Sequence, residues 1–233
     1  MIKNRRFALI FRLTAFSVVL VGFMKQIGIF HGTISFSSFI YYTIQSNFLA
    51  VVMFMILIIR TIKGLRENVH GSAGWLTRFQ MVCTVNLFVT FIVFWAVLAP
   101  TLPRWYLLSY DNFAIHVIAP LLCLADYILF SEASRLKYKD VYLTCVFPLF
   151  YLAFVYIAGF AGYDYGRRLI VTEELGAEVV RGYWVPIRAP YFFLDYDEVG
   201  FMALIYIGGI VAFVLLLGHV IYFIDKKLRK RGR

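Results

Sequence analysis

The sequence predicts an all-α, polytopic membrane protein with six transmembrane helices and a small β-hairpin between the last two. Three observations carry this prediction: 62% of the 233 residues are hydrophobic, only 15% are charged, and the apolar residues fall into long runs. The mean hydropathy is +0.79. A soluble domain would carry about a quarter charged residues. We expect residues 1–233 to form a single transmembrane domain.

The apolar runs are each long enough to cross the hydrocarbon core of a bilayer. The first run follows a basic segment, as in a signal peptide, but it is long and no small-residue cleavage site comes after it, which favours a membrane span. We place the spans at about residues 7–24, 39–59, 79–99, 113–130, 141–161 and 200–224.

The basic residues predict the orientation. Lys and Arg are concentrated in the N-terminal segment, the second and fourth loops and the C-terminal tail, which lie on one side of a six-span chain. Because loops rich in these residues stay in the cytoplasm, both termini are expected there. Orientation and anionic lipid headgroups thus explain the net charge of +10 without a nucleic-acid partner.

The longest extramembrane segment, residues 162–199, is expected on the outer side. It holds two β-prone runs, 168–175 and 179–185, which flank Gly176 and predict a small hairpin. The aromatic side chains of this segment suit a membrane interface, and Trp184 is a candidate substrate contact if the hairpin caps a site.

A polar layer is predicted in the outer half of the bundle, where polar side chains are costly. Arg60 and Ser131 mark the inner ends of spans two and four. At the helical rise of about 1.5 Å per residue, Thr43 lies roughly 25 Å from Arg60 and His116 roughly 22 Å from Ser131, so both are expected at similar depth. A hydroxyl becomes a useful nucleophile when a neutral imidazole takes its proton. Pro120 frees a backbone carbonyl near His116.

A second polar layer, near the inner surface, contains Arg12, Asn86, Asp126 and His219. Arg12 and Asp126 carry opposite charges at matched depth on different helices. We interpret the layer as a structural ion pair with hydrogen-bonding neighbours. The alternative is a proton or ion path.

The order of these residues resembles the androgen-induced, FAR-type six-helix membrane proteins. The resemblance rests on the threonine early in span two and on Asn112-Phe-Ala-Ile-His-Val-Ile-Ala-Pro120 at the head of span four. Gly182-Tyr-Trp-Val-Pro186 and Pro190-Tyr-Phe-Phe-Leu-Asp195 in the outer loop extend it over nearly the whole chain. The chain is most similar to bacterial members, which implies a multi-pass protein of the cell (inner) membrane.

The resemblance implies an activity. The characterised animal members are threonine hydrolases that cleave fatty acid esters of hydroxy fatty acids within the membrane. By motif, Thr43 is the implied nucleophile and His116 the implied base, acting through an acyl-threonine intermediate. Asn47 and Ser46 are candidate oxyanion donors by proximity. The insertion of Ile187-Arg188-Ala189 departs from the animal pattern in the region of the cap.

Two other functions fit the composition. In a non-enzymatic protein, a cavity at the outer polar layer around Thr43 and His116 would bind a lipid or small molecule. Alternatively, the Arg12–Asp126 layer could serve a small transporter or channel. No sequence motif for a cofactor or a metal is present, so none is expected. Cys83, Cys123 and Cys145 lie inside apolar runs and are interpreted as small buried residues. The oligomeric state is left open.

Overall fold

A computed structural model describes residues 4–67, 74–131, 136–175 and 178–231. Within these ranges, six helices are long and apolar enough to cross a membrane, and an antiparallel two-stranded sheet lies between the last two. This confirms the predicted fold class, while the orientation across the membrane stays a prediction. The helices are α1 Arg5–Gln26, α2 Tyr42–Arg66, α3 Trp75–Leu98, α4 Tyr110–Phe130, α5 Tyr138–Phe160 and α6 Met202–Leu228.

The second helix begins later and ends later than its predicted span. A 3₁₀ turn at Phe36–Ile40 is followed by Tyr41 in extended conformation, so α2 starts at Tyr42. At the other end, Arg60 closes the apolar stretch without ending the helix, because Lys and Arg are good helix formers. Hydropathy marks where a membrane span stops, and the helix itself continues to Arg66.

The fourth helix begins at Tyr110, before the predicted position 113. Its course is not uniformly α-helical, because residues Ala114–Ile118 form a π-helical turn that ends two residues before Pro120. A second π-helical turn, Phe94–Leu98, ends α3. π-Turns are rare and often occur at functional positions. Neither turn was predicted from the apolar pattern.

The chain divides into two compact units, of which the first comprises Met1–Pro148 with Ala212–Arg233 and the second Leu149–Val211. In the first unit, α1 packs against α2 and α4, and α3 packs against the same two helices. A Cβ atom added at Gly22 would lie 2.7 Å from the Cβ of Ala114, so the glycine lets α1 and α4 approach closely.

The second unit contains the predicted hairpin. Strand β1 (Arg167–Leu175) pairs antiparallel with β2 (Glu178–Pro186), and Leu169 lies opposite Trp184. After the strands, the buried carboxylate of Asp195 accepts hydrogen bonds from the backbone N–H groups of Arg188 and Asp197 at 3.0 and 3.1 Å. That carboxylate therefore fixes the chain just before α6.

Candidate active site

Thr43 and His116, the pair predicted from depth and motif, face each other in the first unit. Thr43 occupies the first turn of α2, where its side chain is half-buried. The imidazole of His116 projects from the π-turn of α4 and is 4% exposed. The distance from Thr43 Oγ1 to His116 Nε2 is 3.5 Å, at the outer limit of a hydrogen bond.

A backbone carbonyl fixes the protonation of the imidazole. His116 Nδ1 lies 3.0 Å from the carbonyl oxygen of Asn112, one helical turn earlier. Because a carbonyl oxygen only accepts hydrogen bonds, Nδ1 must carry the proton of the neutral ring. The unprotonated Nε2 therefore faces Thr43 Oγ1 and can accept its hydrogen.

An aromatic ring holds the imidazole from one face. The ring of Phe94 is stacked on that of His116, with centroids 3.6 Å apart and an interplanar angle of 23°. Phe94 is itself buried and begins the π-turn of α3. The base is therefore held by a hydrogen bond at its edge and by a ring on its face. Neither group was predictable from the sequence, because neither a main-chain carbonyl nor one phenylalanine among 24 has a sequence signature.

The predicted oxyanion donors lie close to Thr43, but their hydrogens are already used. Asn47 Nδ2 donates to the carbonyl oxygens of Thr43, at 2.9 Å, and Ile115, at 3.2 Å. Ser46 Oγ donates to Thr43 O at 3.1 Å or pairs with Thr90 Oγ1 at 2.9 Å. An amide has two donor hydrogens and a hydroxyl has one, so neither residue has a hydrogen left for an oxyanion. Both residues instead hold neighbouring groups in place through these hydrogen bonds.

The two opposite charges predicted at matched depth, Arg12 and Asp126, also meet in the first unit. Arg12 donates to both carboxylate oxygens of Asp126, at 2.7 and 3.1 Å, and to Thr61 Oγ1 at 2.6 Å. Gln80 Nε2 adds a hydrogen bond to Asp126 at 2.6 Å. All four side chains are buried. A buried pair with satisfied partners is typical of a structural ion pair.

The structure does not bring Asn86 and His219 into this ion-pair cluster. Asn86 instead accepts from the Tyr42 hydroxyl and donates to the carbonyl oxygen of Thr144. His219 Nε2 lies 3.2 Å from the hydroxyl of Tyr138. Matched depth therefore predicted the ion pair but could not predict which helix faces point at one another.

Trp184 lies on β2, where its side chain is 63% exposed. Its predicted contact with a substrate stays a prediction. Among the residues that the structure describes, no cluster of three His, Cys, Asp or Glu side chains could hold a metal ion.

Comparison of the chain with protein-family models, with curated proteins and with solved structures gives no match. The family resemblance therefore stays a prediction.

Proposed function

We propose that this protein is an intramembrane hydrolase of lipid esters, with Thr43 as the nucleophile and His116 as the general base. One observation carries the proposal: the imidazole of His116 is buried, and the carbonyl of Asn112 keeps its proton on Nδ1, so that the lone pair of Nε2 faces the aliphatic hydroxyl of Thr43 at 3.5 Å. Catalytic hydrogen bonds are often long before substrate binds and then shorten.

The reaction has two steps. In the first, His116 Nε2 takes the hydrogen of Thr43 Oγ as the oxygen attacks the ester carbonyl. The C–O bond to the alcohol then breaks, the alcohol leaves with that proton, and an acyl-threonine remains. In the second step, His116 takes a proton from water, the hydroxide attacks the acyl carbon, and Thr43 leaves with its hydrogen restored. The products are a carboxylic acid and an alcohol.

The developing oxyanion needs donors other than Asn47 and Ser46. Thr43 lies in the first turn of α2, where N–H groups have no acceptor within the helix and the helix dipole favours negative charge. The N–H of Thr43 itself therefore suits the oxyanion that forms when its own Oγ attacks. Such stabilisation contributes about 2.7–4 kcal/mol per donor in enzymes of known mechanism.

The surroundings of the pair favour a membrane lipid as substrate. Both residues belong to helices that are apolar and long enough to span a bilayer, so a substrate dissolved in the membrane reaches them without crossing water. Thr43 is only half-buried, as access of an ester group to its hydroxyl requires. The resemblance to threonine hydrolases of fatty acid esters of hydroxy fatty acids favours that ester class.

Covalent labelling tests the proposal. Purified protein is treated with a fluorophosphonate, which reacts with activated hydroxyls, and the adduct is located by mass spectrometry. We expect an adduct on Thr43 that is lost in His116→Ala and kept in His219→Ala. Folded protein without an adduct would contradict the hydrolase and favour the non-enzymatic lipid-binding function. Analysis of lipids that purify with the protein would then identify the bound class.

A further inference from the structure

Asn47 links the helix that carries Thr43 to the helix that carries His116. It lies one turn after Thr43 in α2 and is fully buried. Its two amide hydrogens go to Thr43 O, at 2.9 Å, and to Ile115 O, at 3.2 Å. Since Ile115 directly precedes His116, one side chain spans the main chains beside both members of the pair.

The π-turn explains why the Ile115 carbonyl can accept this bond. The N–H of Ala119 donates to Ala114 O, five residues back, instead of to Ile115 O. The next residue, Pro120, has no N–H to donate. Ile115 O thus lacks both the donor four positions on and the donor five positions on. A carbonyl left unpaired inside a membrane is destabilising, and the amide of Asn47 satisfies it.

We infer that Asn47 is a positioning residue that sets the distance between Thr43 Oγ and His116 Nε2. This inference rests on the proposed function, because it assigns Asn47 a task within the same pair. The bridge holds the first turn of α2 against the π-turn of α4, so its loss lets the hydroxyl and the imidazole move apart. A displacement of about 1 Å at a reacting pair can lower the rate roughly 100-fold.

The test measures the geometry of the pair and does not depend on ester hydrolysis. In a Thr43→Cys background, a neighbouring imidazole promotes the thiolate and extends alkylation to lower pH. The rate of modification by iodoacetamide is followed against pH at this position by mass spectrometry, because the chain also contains three native cysteines. The same protein with His116→Ala added gives the alkylation rate of this thiol without a neighbouring imidazole.

Adding Asn47→Leu removes both bridging hydrogens at nearly constant volume. We expect alkylation at neutral pH to fall roughly 10- to 100-fold, toward the rate with His116→Ala. The matched control is Thr84→Val, which also removes a buried side-chain donor at nearly constant volume, but one that donates to Gln80 O within α3 and does not join α2 to α4. This control should keep the pH profile of the Thr43→Cys protein.

An unchanged profile in folded Asn47→Leu protein would overturn the inference, as would a Thr43→Cys profile that does not depend on His116. If Asn47→Leu does not fold, Asn47→Ser, which keeps one donor, is expected to give an intermediate rate, and an unchanged rate overturns the inference. If the thiol depends on both Asn47 and His116 but the parent protein neither hydrolyses esters nor labels at Thr43, only the proposed function fails.

Discussion

Two histidines of this protein make the same pair of hydrogen-bonding contacts in different surroundings. Each Nδ1 faces the carbonyl four residues earlier in its own helix, at 3.0 Å for His116 and 2.7 Å for His219. Each Nε2 faces a hydroxyl, which belongs to Thr43 at 3.5 Å in one case and to Tyr138 at 3.2 Å in the other. Hydrogen bonding alone therefore does not distinguish the two.

Their surroundings distinguish them. His116 is buried and stacked on Phe94, whereas His219 is partly exposed and meets the ring of Tyr138 at 64° with centroids 5.4 Å apart. The hydroxyl partners also differ. Threonine has an aliphatic hydroxyl, which becomes an alkoxide nucleophile when it loses its proton, whereas the hydroxyl of tyrosine is a phenol. A helical histidine reaches its own preceding turn easily, so this contact is common. Burial, ring stacking and an aliphatic hydroxyl together single out His116.

The sharpest test of this comparison replaces each histidine by glutamine. Because glutamine cannot act as a base, His116→Gln should lower lipid-ester hydrolysis by about 10²–10⁴-fold. His219→Gln loses the same pair of contacts elsewhere and should stay within about twofold of the parent. Both are measured as kcat/KM with a fatty acid ester of a hydroxy fatty acid. Equal losses in the two variants would break the distinction between the histidines.

The stacked ring gives the next largest effect. Phe94→Leu keeps an apolar side chain but removes the ring on His116, and an aromatic pair contributes about 0.5–1.5 kcal/mol beyond burial. We expect kcat to fall about 2- to 10-fold with little change in KM. Phe91→Leu is the control, since Phe91 contacts Phe88 and belongs to the same helix. A larger loss in the control would show that α3 packing, and not stacking on the base, limits activity.

Changing the nucleophile to serine should have the smallest effect. Thr43→Ser keeps the hydroxyl but removes the methyl group that restricts χ1. The added rotational freedom, about 0.5–1 kcal/mol, corresponds to about a two- to fivefold lower kcat. Thr84→Ser, at a buried threonine that bonds only its own helix at Gln80 O, serves as the reference. Complete loss of hydrolysis in Thr43→Ser would argue that the methyl group, and not the hydroxyl, is what the site requires.

Features that depend on the order of residues along the chain were predictable from the sequence. The six apolar runs and the hairpin follow from length and alternation, and the similar depth of Thr43 and His116 follows from helical rise, whereas their pairing is what the family resemblance implied. The Arg12–Asp126 pair follows from the cost of burying an unpaired charge. In each case, apolar length, alternation, helical rise or the cost of an unpaired charge determines the feature, and the rotation of each helix does not have to be known.

Features that depend on helix rotation were not predictable. The rotation of α3 decides that Asn86 meets Tyr42 and Thr144 and that Phe94 meets His116. The orienting group for His116 is a main-chain oxygen, which every residue carries. Asn47 was interpreted as an oxyanion donor because its amide is near Thr43, but the carbonyl that competes for that amide is exposed only by the π-turn.

The π-turn at Ala114–Ile118 also has an evolutionary consequence. It places one residue more in α4 than a regular helix of the same length would hold, and each residue turns an α-helix by about 100°. The gain or loss of a single codon there would swing the imidazole away from Thr43 while moving the helix by only about 1.5 Å along its axis. Homologous chains can therefore keep both residues and yet differ in whether the two meet.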